Sequence, residues 1–117
     1  MSIELKTVLY PVKDLGKAKV TFTALFGVEP HVDSPYYVGY EVDDHEIGLI
    51  PNGHDQGMAG PEPYFDVEDI NATLAALRSA GAEVLQEPTD VAAGLLVAKA
   101  RDTEGNLIGL KQLPASA

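Results

Sequence analysis

Val12-Lys13-Asp14-Leu15 and Val67-Glu68-Asp69-Ile70 are the same phrase written twice, 55 residues apart in a chain of 117. In each copy an extended apolar segment runs into an aspartate suited to cap a helix. Its carboxylate can accept the backbone N–H groups that the first helical turn leaves unpaired. In each copy the helical stretch then meets Gly and a second extended segment. These are Leu25-Phe26-Gly27-Val28-Glu29-Pro30 in the first and Ala80-Gly81-Ala82-Glu83-Val84-Leu85-Gln86-Glu87-Pro88 in the second. A repeat at about half the chain length implies two like modules that bury their faces together, and it makes a cleft between them the expected ligand site.

Working outward, each copy reads as strand, helix and three strands. In the first, Ile3 to Val12 is extended, Asp14 caps, and Lys17 to Phe26 is helical, with Ala18, Phe22, Leu25 and Phe26 at helical spacing. Val28 to Val32 is a short strand, and Tyr36 to Val42 with Glu46 to Ile50 form a hairpin. In the second, Tyr64 to Val67 is a strand and Asp69 caps a helix with Ile70, Leu74 and Leu77 on one face. Gly81 ends that helix, Glu83 to Gln86 is a strand, and Leu95 to Arg101 pairs with Leu107 to Gln112. The expected organisation is one domain: a first module over 1–50, a Gly- and Pro-rich linker over 51–61, and a second module over 62–117. The expected class is α+β, two tandem β-α-β-β-β modules forming a curved mixed sheet around a trough.

Alternation assigns the hairpin faces. A two-residue turn at Asp44-His45 puts Val38, Tyr40, Val42, Ile47 and Leu49 on the side that packs against the helix. Tyr37, Gly39, Glu41, Gly48 and Ile50 then face the other way. In the second hairpin Leu96, Ala98, Ala100, Ile108 and Leu110 face the helix. Val97, Lys99, Arg101, Leu107, Gly109 and Lys111 face away. A turn longer or shorter by one residue would reverse these faces.

Composition excludes several classes. The chain is 45% hydrophobic and 22% charged, an ordinary globular mix. It has no cysteine, so disulfides, thiolate metal sites and a Cys nucleophile are out. A net charge of −10 with no basic stripe argues against nucleic acid. The same field would attract a cation. No apolar run is long enough to span a membrane, and Met-Ser-Ile-Glu-Leu-Lys lacks the features of a signal peptide, so a cytoplasmic location is expected.

Candidate chemistry is sparse. His31, His45 and His54 stand in loops or turns with no metal-binding spacing. Glu41 and Glu62 both point into the expected trough. They act there as an acid–base pair or cation clamp, or are neutralised by Lys99, Arg101 and Lys111 on the same face. Tyr37 and Tyr64 offer stacking surface with a hydrogen-bonding tip, or else pack in the core. The segment Asp102-Thr103-Glu104-Gly105-Asn106 reads as a turn.

The duplicated module, with Val-x-Asp-Leu before the helix and Asp102-Thr103-Glu104-Gly105-Asn106 before the last strand, resembles the glyoxalase, bleomycin-resistance and dioxygenase superfamily. The resemblance covers essentially the whole chain. It implies a vicinal oxygen chelate fold and, in the family's enzymes, a divalent metal held from the first and last strand of each module. Those positions fall here at Thr7, Gly48, Glu62 and Gly109, of which only Glu62 binds a metal well. The resemblance therefore implies a member with no metal ligands and no cofactor. Its leading role is a small-molecule binding protein, similar to the family's antibiotic-sequestering branch, using Thr7, Tyr37, Glu41, Gly48, Glu62, Tyr64, Lys99, Arg101, Gly109 and Lys111. A homodimer is expected from the same resemblance. The alternatives are a glyoxalase-like lyase or isomerase with Glu62 as the catalytic base, and a regulatory or structural dimer whose site is vestigial.

Overall fold

The structure, a computed structural model, describes residues 3–114. The fold is α+β, built from two tandem β-α-β-β-β modules. The chain divides into two compact units. One is Lys6–Glu62; the other runs from Pro63 onward and takes in the first residues of strand β1 (Glu4–Pro11).

In the first module β1 leads to helix α1 (Leu15–Phe26), then β2 (Val32–Asp33), β3 (Val38–Val42) and β4 (His45–Ile50). The strand order is β2-β3-β4-β1, with β1 parallel to β4 and the other pairs antiparallel. Asp14 caps α1 as expected, its Oδ1 accepting the Lys17 N–H at 3.0 Å. Gly27 closes the helix in the left-handed region, at φ 72°, where a β-carbon would be disfavoured.

Helix α1 packs on one face of its sheet. Val38, Tyr40 and Leu49 are buried there against Leu15, Ala18, Phe22 and Phe26. Each fully buried side chain of this size contributes about 1.5–3 kcal/mol by leaving water. Tyr10, Phe22, Phe26 and Tyr40 form a chain of tilted rings with centroids 5.0, 5.8 and 5.2 Å apart. The Tyr40 hydroxyl, fully buried, donates to the Lys19 carbonyl at 3.0 Å and pairs with Thr23 Oγ1 at 2.8 Å, so its burial leaves no polar atom unpaired.

The hairpin turn lies at Asp43-Asp44, one residue before its expected place, with φ of 52° and 68°. Val42 faces His45 and Val38 faces Leu49. Two positive φ values define the turn that matches the twist of a hairpin, and Asp tolerates them. Moving the turn by one residue changes each pairing by two, so the expected faces stand. β2 sits at Val32–Asp33 instead of 28–32. Pro30 lacks the N–H a ladder needs, and pairing begins only after it.

The second module has β5 (Glu62–Asp66), helix α2 (Ile70–Ser79), β6 (Glu83–Ala92), β7 (Leu95–Arg101) and β8 (Leu107–Gln112), in the order β5-β8-β7-β6. Asp69 Oδ1 caps α2 by accepting the Ala72 N–H at 3.0 Å. Gln112 Oε1 accepts the Ile70 N–H at 2.7 Å, tying β8 to the helix start. Ile70 and Leu74 bury against Val67, Ala98, Ala100 and Leu110, the face expected. β6 runs six residues past its expected end at Gln86, through Pro88 to Ala92. Proline is tolerated because β6 is an edge strand and its pairing with β7 shifts register on either side. The segment 51–61 contains a short 3-10 turn, His54–Gln56, and buries Met58. Among the described residues no helix is long and apolar enough to cross a membrane.

Candidate functional site

Ladder pairing fixes which residues share the face turned away from α1. Gly39 pairs with Gly48, Glu41 with Glu46, and on the other flank Thr7 pairs with Glu46 and Leu9 with Gly48. Alternation puts all of these on one face. Glu41 is exposed and directly opposite Glu46 in the ladder.

Tyr37 lies over the two glycines. A β-carbon on Gly48 would come within 2.6 Å of Tyr37 Cε1 and Oη and within 2.7 Å of Leu9 Cδ2. One on Gly39 would come within 2.7 Å of Tyr37 Cε2. Only glycine leaves room for the ring at both positions. The tip of the Tyr37 ring is thus packed against the two glycines and does not stand free as a stacking platform. Its backbone is set by the preceding turn. Ser34 Oγ accepts the Tyr37 N–H at 3.1 Å, and Ser34 N–H donates to the Tyr37 carbonyl at 3.0 Å.

The Tyr37 hydroxyl donates to Glu46 Oε2. Glu46 Oε1 lies 2.6 Å from His31 Nε2, and the carboxylate being the acceptor, the imidazole donates. His31 is held at this distance because its own N–H donates to the Gly39 carbonyl at 2.9 Å. The Tyr37 hydroxyl is pushed well above the usual phenol range, first by burial, then by its hydrogen bond to Glu46 and by that carboxylate's charge. It is therefore a neutral donor, unsuited to take a proton.

In the second module a glycine again lies against a tyrosine, here its own ladder partner. Tyr64 pairs with Gly109, and a β-carbon on Gly109 would lie 2.5 Å from Tyr64 Cδ2 and 2.6 Å from its Cγ. Tyr64 is buried, 6% exposed. The face away from α2 carries Lys99, Arg101 and Lys111. Arg101 reaches Glu83, its ladder partner, at 3.4 Å. Lys111 Nζ lies 3.7 Å from Asp66 Oδ1, an oxygen that is buried and makes no hydrogen bond. Glu62 and Thr7 are buried, 2% and 5% exposed.

The four positions at which the resemblance places metal ligands can now be tested. Gly48 and Gly109 offer no donor atom, and an aromatic ring occupies the space where a longer side chain would extend. Among the described residues no group of three or more His, Asp or Glu side chains is placed to hold a metal. The residues do not fit a divalent metal, which needs about three protein ligands.

Glu46 escapes the sequence reading, in which His31 is only a loop histidine. Glu46 sits at a strand start beside two turn aspartates, and nothing in the spacing of 31 and 46 links them; only the β3–β4 register does. His45 is the exposed turn residue expected, its Nδ1 2.8 Å from the Asp43 carbonyl. A cavity of about 380 Å3 lies along α1, lined by Lys19, Val20, Thr23, Ala24 and Glu29, and includes none of the candidate residues.

The model of the Glyoxalase/Bleomycin resistance protein/Dioxygenase superfamily matches residues 4–110. No curated protein matches the sequence. Several solved structures share the fold. One is a glyoxalase/bleomycin resistance protein/dioxygenase superfamily member from Vibrio splendidus 12B01, 15% identical with TM-score 0.74, covering 96% of this chain and 100% of that one. A second is methylmalonyl-CoA epimerase from Mycobacterium tuberculosis, 22% identical with TM-score 0.68, covering 97% and 89%. A third is the Mn(II)-bound glyoxalase from Novosphingobium aromaticivorans, 17% identical with TM-score 0.71, covering 97% and 42%.

Proposed function

Since this chain belongs to the Glyoxalase/Bleomycin resistance protein/Dioxygenase superfamily, we propose that it is a metal-independent member that binds a small molecule. The observation that carries this reading is glycine at two of the four family ligand positions, each under a tyrosine ring. What remains on the first module's face is a set of binding groups. Glu46 supplies an oriented carboxylate, whose present donors are Tyr37 and His31, and Glu41 a second negative charge. With a net charge of −10, these favour ligands that donate hydrogen bonds or carry positive charge, antibiotics among them.

The test is a thermal-shift screen of chelator-stripped protein, first with Zn²⁺, Ni²⁺, Mn²⁺ and Fe²⁺, then with aromatic and cationic small molecules. A ligand that binds only the folded state raises the melting point by mass action. The expected result is no saturable rise with any metal and a saturable rise with one or more small molecules that Glu46→Gln weakens. A metal-specific saturable rise would overturn the reading.

The burial of Glu62 favours a second reading, a lyase or isomerase that uses this carboxylate as general base. Methylmalonyl-CoA epimerase and glyoxalase among the similar structures make such substrates reasonable assay choices. Turnover that survives Glu62→Gln would eliminate this mechanism.

A further inference from the structure

We infer that the slot above Gly39 and Gly48 is a binding site for a planar phenol, occupied in this structure by the protein's own Tyr37. The inference rests on the small-molecule reading above and names the class of ligand.

Two glycines facing each other across the middle of a hairpin weaken both strands, because glycine is entropically costly and packs nothing. Such a pair marks a place where something must come close to the backbone. Here a flat six-membered ring does so, within contact of both glycines and beside Leu9. The slot is thus bounded by the two glycines and Leu9, with the Glu46 carboxylate beside Gly39.

Its far end is polar. Glu46 meets the ring's hydroxyl with Oε2 while His31 holds Oε1. The acceptor is thus oriented before any ligand arrives, and a phenol from solution would donate the same hydrogen bond that Tyr37 donates. An aromatic carboxylate or phosphate would instead meet Glu46 and Glu41 as like charges.

Tyr37 can vacate the slot without unravelling the sheet. It stands just before β3, in the turn that Ser34 closes, so rotation about its side-chain bonds moves the ring and leaves the β3–β4 ladder intact. The tyrosine acts as an internal competitor: it lowers the apparent affinity for an external phenol by the fraction of time the slot stands open.

p-Cresol, the tyrosine side chain without its backbone, is the probe, and toluene is its partner lacking the hydroxyl. Binding is followed by calorimetry on the wild type, Tyr37→Phe and Tyr37→Ala. The wild type should bind p-cresol saturably and about tenfold or more tighter than toluene, the worth of one hydrogen bond to a charged acceptor. Tyr37→Phe removes the internal hydroxyl and should tighten p-cresol by about tenfold. Tyr37→Ala should tighten it further. If Tyr37→Ala does not fold, the comparison of wild type with Tyr37→Phe decides alone.

Equal affinity in wild type and Tyr37→Phe would place p-cresol elsewhere and overturn the inference. Binding to Tyr37→Ala alone would make the slot a structural socket, which also overturns it. If p-cresol fails with every variant while other small molecules bind and lose affinity in Glu46→Gln, the phenol class falls and the binding reading stands. If nothing binds, both fall.

Discussion

Gly48→Ala tests the glycine floor most directly. The added methyl meets three atoms closer than 3.0 Å: Tyr37 Cε1 and Oη at 2.6 Å and Leu9 Cδ2 at 2.7 Å. Leu9 Cδ2 ends a flexible side chain and can give way. The Tyr37 backbone is held by its turn, and the ring moves only by giving up its hydrogen bond to Glu46. Either the ring stays and the site is overpacked, at about 1–3 kcal/mol, or it leaves and forfeits a charge-assisted hydrogen bond worth roughly 1.5–3 kcal/mol. Replacing glycine in a strand returns about 0.5–1 kcal/mol. The net expectation is a destabilisation of about 1–2 kcal/mol, a melting-point drop of roughly 4–10 °C for a domain of this size. Urea unfolding followed by far-UV circular dichroism measures it. Gly60→Ala is the control, because a β-carbon there meets nothing within 4 Å. It should lie at or slightly above wild-type stability. The reasoning is refuted if Gly48→Ala matches the Gly60→Ala control, or if its cost is unchanged in a Tyr37→Ala background, where the clash with the ring no longer exists.

Three further expectations follow from single contacts. Tyr37 is held protonated in the fold, whereas an unfolded tyrosine ionises near about pH 10. Its stabilising contribution is complete below that pH and is lost as pH rises toward the folded value. Wild-type stability should therefore fall more steeply than that of Tyr37→Phe between pH 9 and 11 in urea titrations, and parallel slopes would show that the phenol is not protected. Asp102 accepts hydrogen bonds from the Asn106 side chain and from the Asn106 and Glu104 backbone, the first of these holding its carboxyl below the usual range. Its contribution is present above the unfolded value near about 3.9 and is lost as pH falls through the folded one, so Asp102→Ala should destabilise at pH 7 and converge on wild type in strong acid; a pH-independent difference would assign its effect to something other than ionisation. Leu74→Ala, at a side chain 2% exposed in the second core, should cost about 2–5 kcal/mol, and a loss under 1 kcal/mol in chemical denaturation would contradict that core.

The architecture was legible because it rests on local signals that occur twice. Asp14 and Asp69 cap helices, and alternation in 38–50 and 95–112 sorts side chains between faces whichever of two neighbouring turns is used. What escaped depends on neighbours distant in sequence. The sequence reading ends β6 at Gln86, and only its place on a sheet edge lets the strand continue through Pro88 to Ala92. The glycines at 48 and 109 were visible as an absence of metal ligands. That tyrosines fill the space they leave was not, since Tyr37 is joined to Gly48 through the hairpin register and a turn. The His31–Glu46 contact was hidden for the same reason, fifteen residues apart and between a loop and a strand.

The ring-on-glycine pairs also constrain how this sequence can change over generations. A histidine or glutamate arriving at position 48 would strike Tyr37, and one at 109 would strike Tyr64. Each chemically useful replacement is thus harmful until its tyrosine has been exchanged for something smaller, and that exchange alone opens a void. The two positions of each pair form an epistatic couple, with a less stable intermediate on either path between them. Single-site variation around the present sequence therefore keeps glycine at 48 and 109, and replacing either takes paired substitutions.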